Sequence, residues 1–560
     1  MSAIAARVSA APRLLARLEA VRPLYVLSVL VGVELVSILG VALSARHNGW
    51  LYYQGGDQLW HYTTAWVMGQ GRLPHASVGY AWSIVLLPFA LIGGPNLLSP
   101  LPFIVLLNVL VLMPVALLAT YGIGRRIGGR LFGYWAALLW IVVPIIGIKY
   151  ADAGYHQRYT ELLLPQSLGL TVMSDFPSMV VSVVSAYFAL RAVQDDTPWD
   201  AVFAGLFAGI ALGIKPSNAP LVVGIVLALL WARRRRSLAY LAAGLAPGVF
   251  ALALWKGIGE GKLPILRSAS APGAHAAPLL AVSLNIHRYL HPSWSFFTQQ
   301  LHDIEGHFWS LRLLEWIAIA GTIGLLRRSR PLGLLFGGWF WATIFVKWTS
   351  PGHGTIADSD LLRQTISTIP AALMLVVGLA FLIPGLGKRL HVPQGETWGT
   401  HRIRVGLAAA LVTLFAFVPV VLAAGLPALK NSDTISYYTQ LTGSLSAPFG
   451  VDKGWNVQAT PSPGHVNITW SKQHPLGGTM NYFVLRAPTR DDLYCAPTHG
   501  GAQCQLTGKE IVAKRGTKFV DTVPAGKWNY RVAAVASWVN DPKSGDVYVI
   551  SRPLNVTVTR

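Results

Sequence analysis

Long apolar runs separated by short basic clusters constrain this chain more than any other feature. Eleven runs are long enough to be predicted as membrane-spanning helices, and they cover residues 24–45, 101–124, 131–149, 178–194, 200–214, 219–232, 237–255, 311–326, 331–347, 369–386 and 405–424. Charged residues make up only 12% of the chain and the mean hydropathy is +0.47. The predicted fold class is therefore a polytopic α-helical membrane protein.

The basic clusters between the runs predict the orientation. They lie at 7–22, 125–130, 233–236, 327–330 and 388–404. With the N-terminus inside, all of them fall on the cytoplasmic side, as the positive-inside rule requires, and an odd number of spans places the C-terminus outside. The net charge of +21 belongs to these lipid-facing clusters, so membrane lipids are expected as partners and nucleic acid is not. The expected location is the plasma (inner) membrane, and the Arg- and Ala-rich composition suggests a bacterial source.

One apolar segment, residues 81–94, does not fit this alternation. It is too short to span a bilayer and contains Pro88. Counting it as a crossing would place Arg125 and Arg126 outside. We therefore expect a juxtamembrane or re-entrant helix on the outer side, which is tolerated beside protein or a watery cavity.

The last part of the chain has a different pattern. Alternating apolar segments separated by Gly, Pro and Asp predict an all-β sandwich over 451–560, in which Trp470 and Tyr530 resemble the fibronectin type III arrangement. The predicted organisation is thus a membrane domain over 1–425, a linker over 426–450 and an extracytoplasmic sandwich. Cys495 and Cys504 are expected to form a disulfide in an oxidising compartment.

The first outer loop carries the leading candidate for catalysis. Residues 57–68 are predicted as a helix lying on the membrane, flanked by aromatic residues suited to interfacial depth. Asp57 and His61 are four residues apart and so share one helical face. Asp57 is either a general base or a helix N-cap, and the residues alone do not separate the two. His61 and Tyr53 are assigned to substrate binding.

Three further polar residues lie at the predicted outer ends of spans. Asp175 precedes the fourth span and is either a helix cap or a second site acid, and two acids on one face leave a divalent metal open as a cofactor. Lys215 and Arg363 are candidate phosphate ligands, although Lys215 in its short turn could equally extend to the lipid headgroups. The histidines of the 256–310 loop lack a metal-ligand spacing, and Glu34, within the first span, is expected to have a buried partner.

Several short motifs in this order resemble the GT-C superfamily of membrane glycosyltransferases, near the protein mannosyltransferase and aminoarabinose transferase branch. The motifs lie within residues 24–386 and read GGDQLWHYTTAWVMGQGRLPH, YAWSIVLLPFALIGG, SDFPSMV, IKPSNAP and LLRQTISTIP. The resemblance implies that Asp57 is the catalytic base, that Asp175 supports it, and that Lys215 and Arg363 hold the donor phosphate. Gln58 departs from the pattern, because many members have a second acid after the first. The Lys-Pro-Ser turn also differs from the family's Lys-Gly-Pro.

The predicted function is an inverting glycosyltransferase with a polyprenyl-phosphate sugar as donor. The acceptor is expected to be a cell-envelope polysaccharide, glycolipid or protein on the extracytoplasmic face. A transporter or flippase for a lipid-linked saccharide is a second hypothesis, although the sequence shows no internal repeat of the kind common in transporters. A third hypothesis is a ligase or polymerase that moves a whole glycan from a lipid carrier, because it would use the same kinds of site residue.

Overall fold

The computed structural model describes most of the helical part and most of the C-terminal strands. The described residues are 21–44, 57–76, 78–94, 97, 100–150, 165–259, 266–268, 282–284, 292–307, 312–350, 366–384, 418, 421, 425–429, 455–472, 479–487, 495–497, 504–506, 509–514, 516–537, 546–552 and 554–559. Tyr53, Arg363 and most of the predicted span 405–424 lie outside them, so nothing is said of their structure.

The helical part follows the predicted apolar runs. Its helices are α1 (Pro23–Ser44), α2 (Asp57–Gly69), α3 (Tyr80–Gly93), α4 (Leu101–Gly128, with a π turn at Asn108–Leu112), α5 (Arg130–Tyr150), α6 (Asp175–Asp195), α7 (Pro198–Ile214), α8 (Ala219–Trp231), α9 (Arg235–Leu254), α10 (Trp294–His307), α11 (Arg312–Arg328), α12 (Arg330–Trp348) and α13 (Ile369–Gly378). Short 3-10 turns precede α6, α8 and α13, at Pro165–Leu170, Pro216–Asn218 and Ile366–Thr368.

Ten of the eleven predicted spans coincide with these helices, and the predicted helices over 57–68 and 81–94 are confirmed as α2 and α3. By length and apolar composition, four helices of the described chain are long enough to cross a membrane: α1, α4, α6 and α9 continued to Gly257. The total of eleven crossings and the orientation in the membrane stay predictions.

Close helix packing holds the bundle together. A Cβ on Gly205 in α7 would lie 2.3 Å from the carbonyl oxygen of Leu241 in α9, and one on Gly224 in α8 would lie 2.2 Å from that of Leu335 in α12. Small residues at these crossings let the backbones approach closely, as is common in membrane bundles.

The basic clusters 125–130, 233–236 and 327–330 meet at one end of the bundle, here called the basic end. It comprises the C-terminal ends of α4, α6, α8 and α11 and the N-terminal ends of α5, α7, α9 and α12. Side chains connect these ends, and the contacts are Arg126 with Asp195 at 2.9 Å, Arg191 with Asp200 at 3.0 Å, Arg234 with Asp196 at 2.5 Å, and Arg328 Nε with the carbonyl oxygen of Ile127 at 3.2 Å. These three clusters therefore lie at the same end, as the alternation predicts, whereas the cluster 388–404 and most of the cluster 7–22 lie outside the described residues.

The opposite end, here called the site end, is capped by the α2–α3 hairpin. The Tyr62 hydroxyl donates to the carbonyl oxygen of Gly94 at 2.7 Å and closes the hairpin. A Cβ on Gly79 would lie 2.2 Å from the carbonyl oxygen of Gly213, so the start of α3 rests directly on the end of α7. Trp255 Nε1 donates to the carbonyl oxygen of Ala76 at 3.0 Å and connects the hairpin to the end of α9.

The C-terminal part is built from antiparallel strands. Two strands lie earlier in the chain, between α9 and α10, where β1 (Leu266–Ser268) pairs with β2 (Val282–Leu284). The strands of the C-terminal part are β3 (Val457–Ser462), β4 (His465–Trp470), β5 (Thr479–Ala487), β6 (Cys495–Pro497), β7 (Cys504–Leu506), β8 (Lys509–Lys514), β9 (Lys518–Thr522), β10 (Gly526–Ser537), β11 (Asp546–Ile550) and β12 (Leu554–Val558). One sheet has the order β11-β10-β5-β8 with β12 also on β10, a second has the order β3-β4-β9, and β6 pairs with β7.

The two larger sheets share a separate apolar core, in which Trp470 packs against Tyr482 with ring centroids 5.5 Å apart. The Tyr530 hydroxyl donates to the Asp521 carboxylate at 2.7 Å, and Arg486 pairs with the same carboxylate oxygen. Tyr530 is therefore bonded to a side chain of β9, and the resemblance to the fibronectin type III arrangement stays a prediction. The predicted strand over 547–558 is two strands, β11 and β12. Cys495 and Cys504 lie on the paired strands β6 and β7, and their disulfide stays a prediction.

Candidate active site

Asp57 is the first residue of α2 and is half-buried. The position of Asp57 is set by its neighbour Gln58, whose Oε1 accepts a hydrogen bond from the backbone N–H of Val172 at 2.9 Å. Trp82 Nε1, on α3, donates to the carbonyl oxygen of the same residue at 2.8 Å. The α2–α3 hairpin is thus bonded to the segment just before Asp175, which brings the chain around both candidate acids together. Gln58, which departs from the family pattern, makes the connecting bond.

Asp175 and Lys215 form an ion pair at the site end. The side chain of Asp175 is completely buried and that of Lys215 is 19% exposed. Asp175 is not the N-cap of α6, because Ser174 occupies that position. Lys215 does not extend to the headgroups, because its ammonium group turns inward to the carboxylate. In the described structure the two residues therefore pair with each other, and their roles in the site stay predictions.

The turn that carries Lys215 is held by its own hydrogen bonds. Asn218 Nδ2 donates to Ser178 Oγ at 2.6 Å, one turn beyond Asp175, and to the carbonyl oxygen of Ala211 at 2.7 Å. The backbone N–H of Lys215 donates to the same carbonyl oxygen of Ala211 at 2.8 Å, so Lys215 is bonded to the last turn of α7. Buried polar groups of this kind need such partners, so the turn has little freedom to move.

Lys347 is a further lysine at this end of the bundle, and the sequence pattern does not indicate it as a site residue. It lies near the end of α12 and is 8% exposed. Helix α12 also contacts α6 and the 3-10 turn Ile366–Thr368, which in turn contacts Pro216–Asn218. Lys347 thus lies on a helix that packs against α6, which carries Asp175, and against the turn that contacts Pro216–Asn218 next to Lys215.

His61 lies inside the hairpin. It is 2% exposed, and its Nδ1 lies 3.5 Å from Ser83 Oγ on α3. His61 is thus buried between α2 and α3, and its assignment to substrate binding stays a prediction.

Glu34 has the buried partner that its position in the first span requires. Trp140 Nε1 donates to Glu34 Oε1 at 2.8 Å, and the carbonyl oxygen of Trp140 accepts from Gln166 Nε2 at 3.3 Å. These contacts connect α1, α5 and the 3-10 turn that follows the second outer loop. Glu34 thus holds helices together and has no place in the cluster around Asp175.

No group of three His, Cys, Asp or Glu side chains within the described ranges is arranged to hold a metal ion. Lys215 already neutralises Asp175, and an ammonium group beside a carboxylate disfavours a cation there. The described residues around Asp175 thus fit an anion better than a divalent metal.

The sequence signal for Lys347 was present but weak. It is a lysine at the last turn of an apolar run, which is typical of a residue that extends to the headgroups. Its inward direction depends on packing against α6 and the turn before α13, and these lie far away in the sequence.

A comparison with protein families identifies the segment that carries the ion pair. Residues 160–255 match the family described as dolichyl-phosphate-mannose-protein mannosyltransferase, and this segment includes both Asp175 and Lys215. The match agrees with the resemblance to GT-C membrane glycosyltransferases over this segment, and an all-β part follows the helical part in the chain.

Two solved structures resemble this chain at low identity. The Archaeoglobus fulgidus oligosaccharyltransferase in its apo form is 14% identical with a TM-score of 0.38, and the match covers 74% of this chain and 60% of that chain. The archaeal oligosaccharyltransferase AglB from Archaeoglobus fulgidus, in complex with an inhibitory peptide and a dolichol-phosphate, is 14% identical with a TM-score of 0.35 and coverages of 74% and 57%. This chain thus spans 60% or less of their length. No curated protein sequence matches it.

Proposed function

We propose that this protein transfers a sugar from a polyprenyl-phosphate donor to a cell-envelope acceptor, with inversion at the anomeric carbon. The observation that carries the proposal is the convergence of Asp175, Lys215 and Lys347 beside the hairpin that begins with Asp57. A lipid-linked phosphate sugar needs cations at the membrane boundary and a base near the acceptor. The site end of the bundle supplies residues of both kinds.

The charge change during transfer explains why two lysines are useful. The donor phosphate is a diester with one negative charge, and it leaves as a monoester dianion when the bond from the anomeric carbon to oxygen breaks. Cations that face the leaving phosphate stabilise the transition state more than the bound donor, which lowers the barrier. In this proposal Lys215 and Lys347 contact the phosphate, with Arg363 as a further predicted ligand.

Asp57 acts as the general base in this scheme. Its carboxylate takes the proton of the acceptor hydroxyl while the oxygen attacks the anomeric carbon, so the proton ends on Asp57 and the electron pair on the phosphate. Asp175 is buried and paired, and we assign it to holding Lys215 in place. The leaving phosphate is already ionised, so no second carboxylate is needed as an acid, in contrast to glycoside hydrolysis.

The site end faces the extracytoplasmic side in this proposal, because the basic end is then cytoplasmic. The isoprenoid tail of the donor lies in the membrane beside the bundle. The acceptor is a polysaccharide, glycolipid or protein of the envelope, and the sandwich lies on the same side.

Transfer assays on purified protein with a panel of polyprenyl-phosphate sugars and envelope acceptors test the proposal. Asp57→Asn removes the base and keeps the size, so kcat should fall by roughly 100-fold or more. Lys527→Gln, an exposed position on the sandwich, is the matched control and should transfer at the wild-type rate. Asp175→Asn is less informative, because it leaves the Lys215 ammonium group without its partner carboxylate and so destabilises the fold.

The alternatives predict different results in the same assay. Equal transfer by wild type and Asp57→Asn would mean that the base lies elsewhere. Movement of labelled lipid between leaflets without any sugar transfer would favour the transporter or flippase. Transfer of whole glycans but not of single sugars would favour the ligase or polymerase.

A further inference from the structure

A cavity of 590 Å³ opens at the basic end, on the side of the bundle away from the site. It is lined by Trp231 at the end of α8, Ile323, Leu326 and Arg327 on α11, and Arg330 and Leu334 on α12. Trp231, Ile323 and Leu326 are 52%, 44% and 37% exposed. The walls are therefore apolar and accessible, and the two charged groups that line the cavity are both guanidinium groups.

The two arginines of the cavity differ from their neighbours at the basic end. Arg126, Arg191 and Arg234 pair with aspartates, and Arg328 donates to a backbone carbonyl and stacks on Phe381 at 5.6 Å. Within the described part of the chain, no acidic side chain pairs with Arg327 or Arg330. Both are exposed. Their charge is thus available to a ligand.

Arg330 is held in position by an aromatic ring. Its guanidinium group lies 5.2 Å from the ring centroid of Trp231, within the range of a favourable cation–π contact. Tryptophan at a helix end is typical of the boundary between headgroups and acyl chains. The cavity thus combines a fixed cation at headgroup depth with apolar walls that continue into the membrane.

We propose that this cavity binds an anionic phospholipid. The headgroup phosphate would lie between Arg327 and Arg330, since guanidinium groups match phosphate oxygens in geometry. One acyl chain would run along Ile323, Leu326 and Leu334. Basic pockets between membrane helices bind anionic headgroups by the same chemistry. The site lies at the end of the bundle opposite to Asp175 and does not depend on the proposed reaction.

Native mass spectrometry of the full chain in detergent tests the proposal, with phosphatidylglycerol as the anionic lipid and phosphatidylcholine as the zwitterionic one. Wild type should bind phosphatidylglycerol about ten-fold more tightly. The double variant Arg327→Ala/Arg330→Ala should lose this preference. The matched control Arg235→Ala/Arg236→Ala removes two exposed arginines at the same end, outside the cavity, and should keep it.

Two further measurements separate the cavity from general attraction. Glycerol phosphate, which has no acyl chains, should not bind at the same concentration, and binding by it would mean a free-phosphate site. Arg330→Lys keeps the charge and loses the planar stack, so its preference should fall between wild type and the double variant. Equal loss in both double variants, or no loss in either, would overturn the proposal. Unchanged thermal unfolding without lipid shows that the variants are folded.

Discussion

Lys347 is buried near the end of α12, and α12 packs against α6, which carries Asp175. Burial of a charge is costly unless opposite charge compensates it. In the proposed reaction, the phosphate dianion formed during transfer supplies negative charge for Lys347 as well as for Lys215. At the scale of single residues, Lys347 is therefore the position that best tests how the leaving group is stabilised.

Lys347→Gln should lower kcat by roughly 100-fold with a smaller change in KM, because the lysine meets most charge in the transition state. Lys347→Arg keeps the cation and should retain about a tenth of wild-type kcat or more. Steady-state transfer assays measure both. Thermal unfolding controls for folding, because a lysine that only fills space would give equal losses in the two variants. Equal losses would contradict the role proposed for its charge.

At the scale of elements, the α2–α3 hairpin is positioned by direct backbone contact with the α7–α8 turn. Gly79 rests on the carbonyl oxygens of Gly213 and Ile214, the two residues before Lys215. Its φ of −62° and ψ of 140° are open to any residue, so space alone requires glycine there. The hairpin bearing Asp57 and the turn bearing Lys215 therefore have a fixed separation.

Gly79→Ala should force these two elements apart, because the new Cβ would lie 2.2 Å from a backbone oxygen. Overpacking of this kind costs about 1–3 kcal/mol, and we expect a lower melting temperature and a roughly ten-fold or larger loss of transfer. The control is Gly32→Ala on α1, whose Cβ would meet nothing within 4 Å. Calorimetry or thermal shift and the transfer assay measure the two effects. Wild-type behaviour of Gly79→Ala would show that the contact does not position the site.

The sequence predicts elements well and their contacts poorly. Hydrophobic runs and basic clusters give the helices and the basic end, because lipid imposes length and charge rules on every span. The bond from Gln58 to Val172 joins residues 114 positions apart, and no local pattern encodes it. The burial of His61 is a similar case: helical spacing gives the face it shares with Asp57, but only the packing of α3 shows that this position is buried.

At the scale of the whole molecule, the chain returns to the site end before the sandwich begins. The N–H of Leu73 donates to the carbonyl oxygen of Pro427 at 2.9 Å, and the N–H of Leu429 donates to that of Leu73 at 2.8 Å. The segment after the last predicted span is thus paired with the loop between α2 and α3. An acceptor bound to the sandwich would be tethered on the side of Asp57, which raises its effective concentration at the site.

Removal of residues 451–560 should therefore separate two kinds of acceptor. The sandwich has its own apolar core, so its loss leaves the helical core intact. A short soluble acceptor should be used at a rate within about two-fold of wild type. A polymeric envelope acceptor should show a KM raised by roughly ten-fold, because its local concentration is lost. The short acceptor also reports that the truncated protein is folded. An unchanged KM for the polymer would mean that the sandwich has no part in acceptor binding.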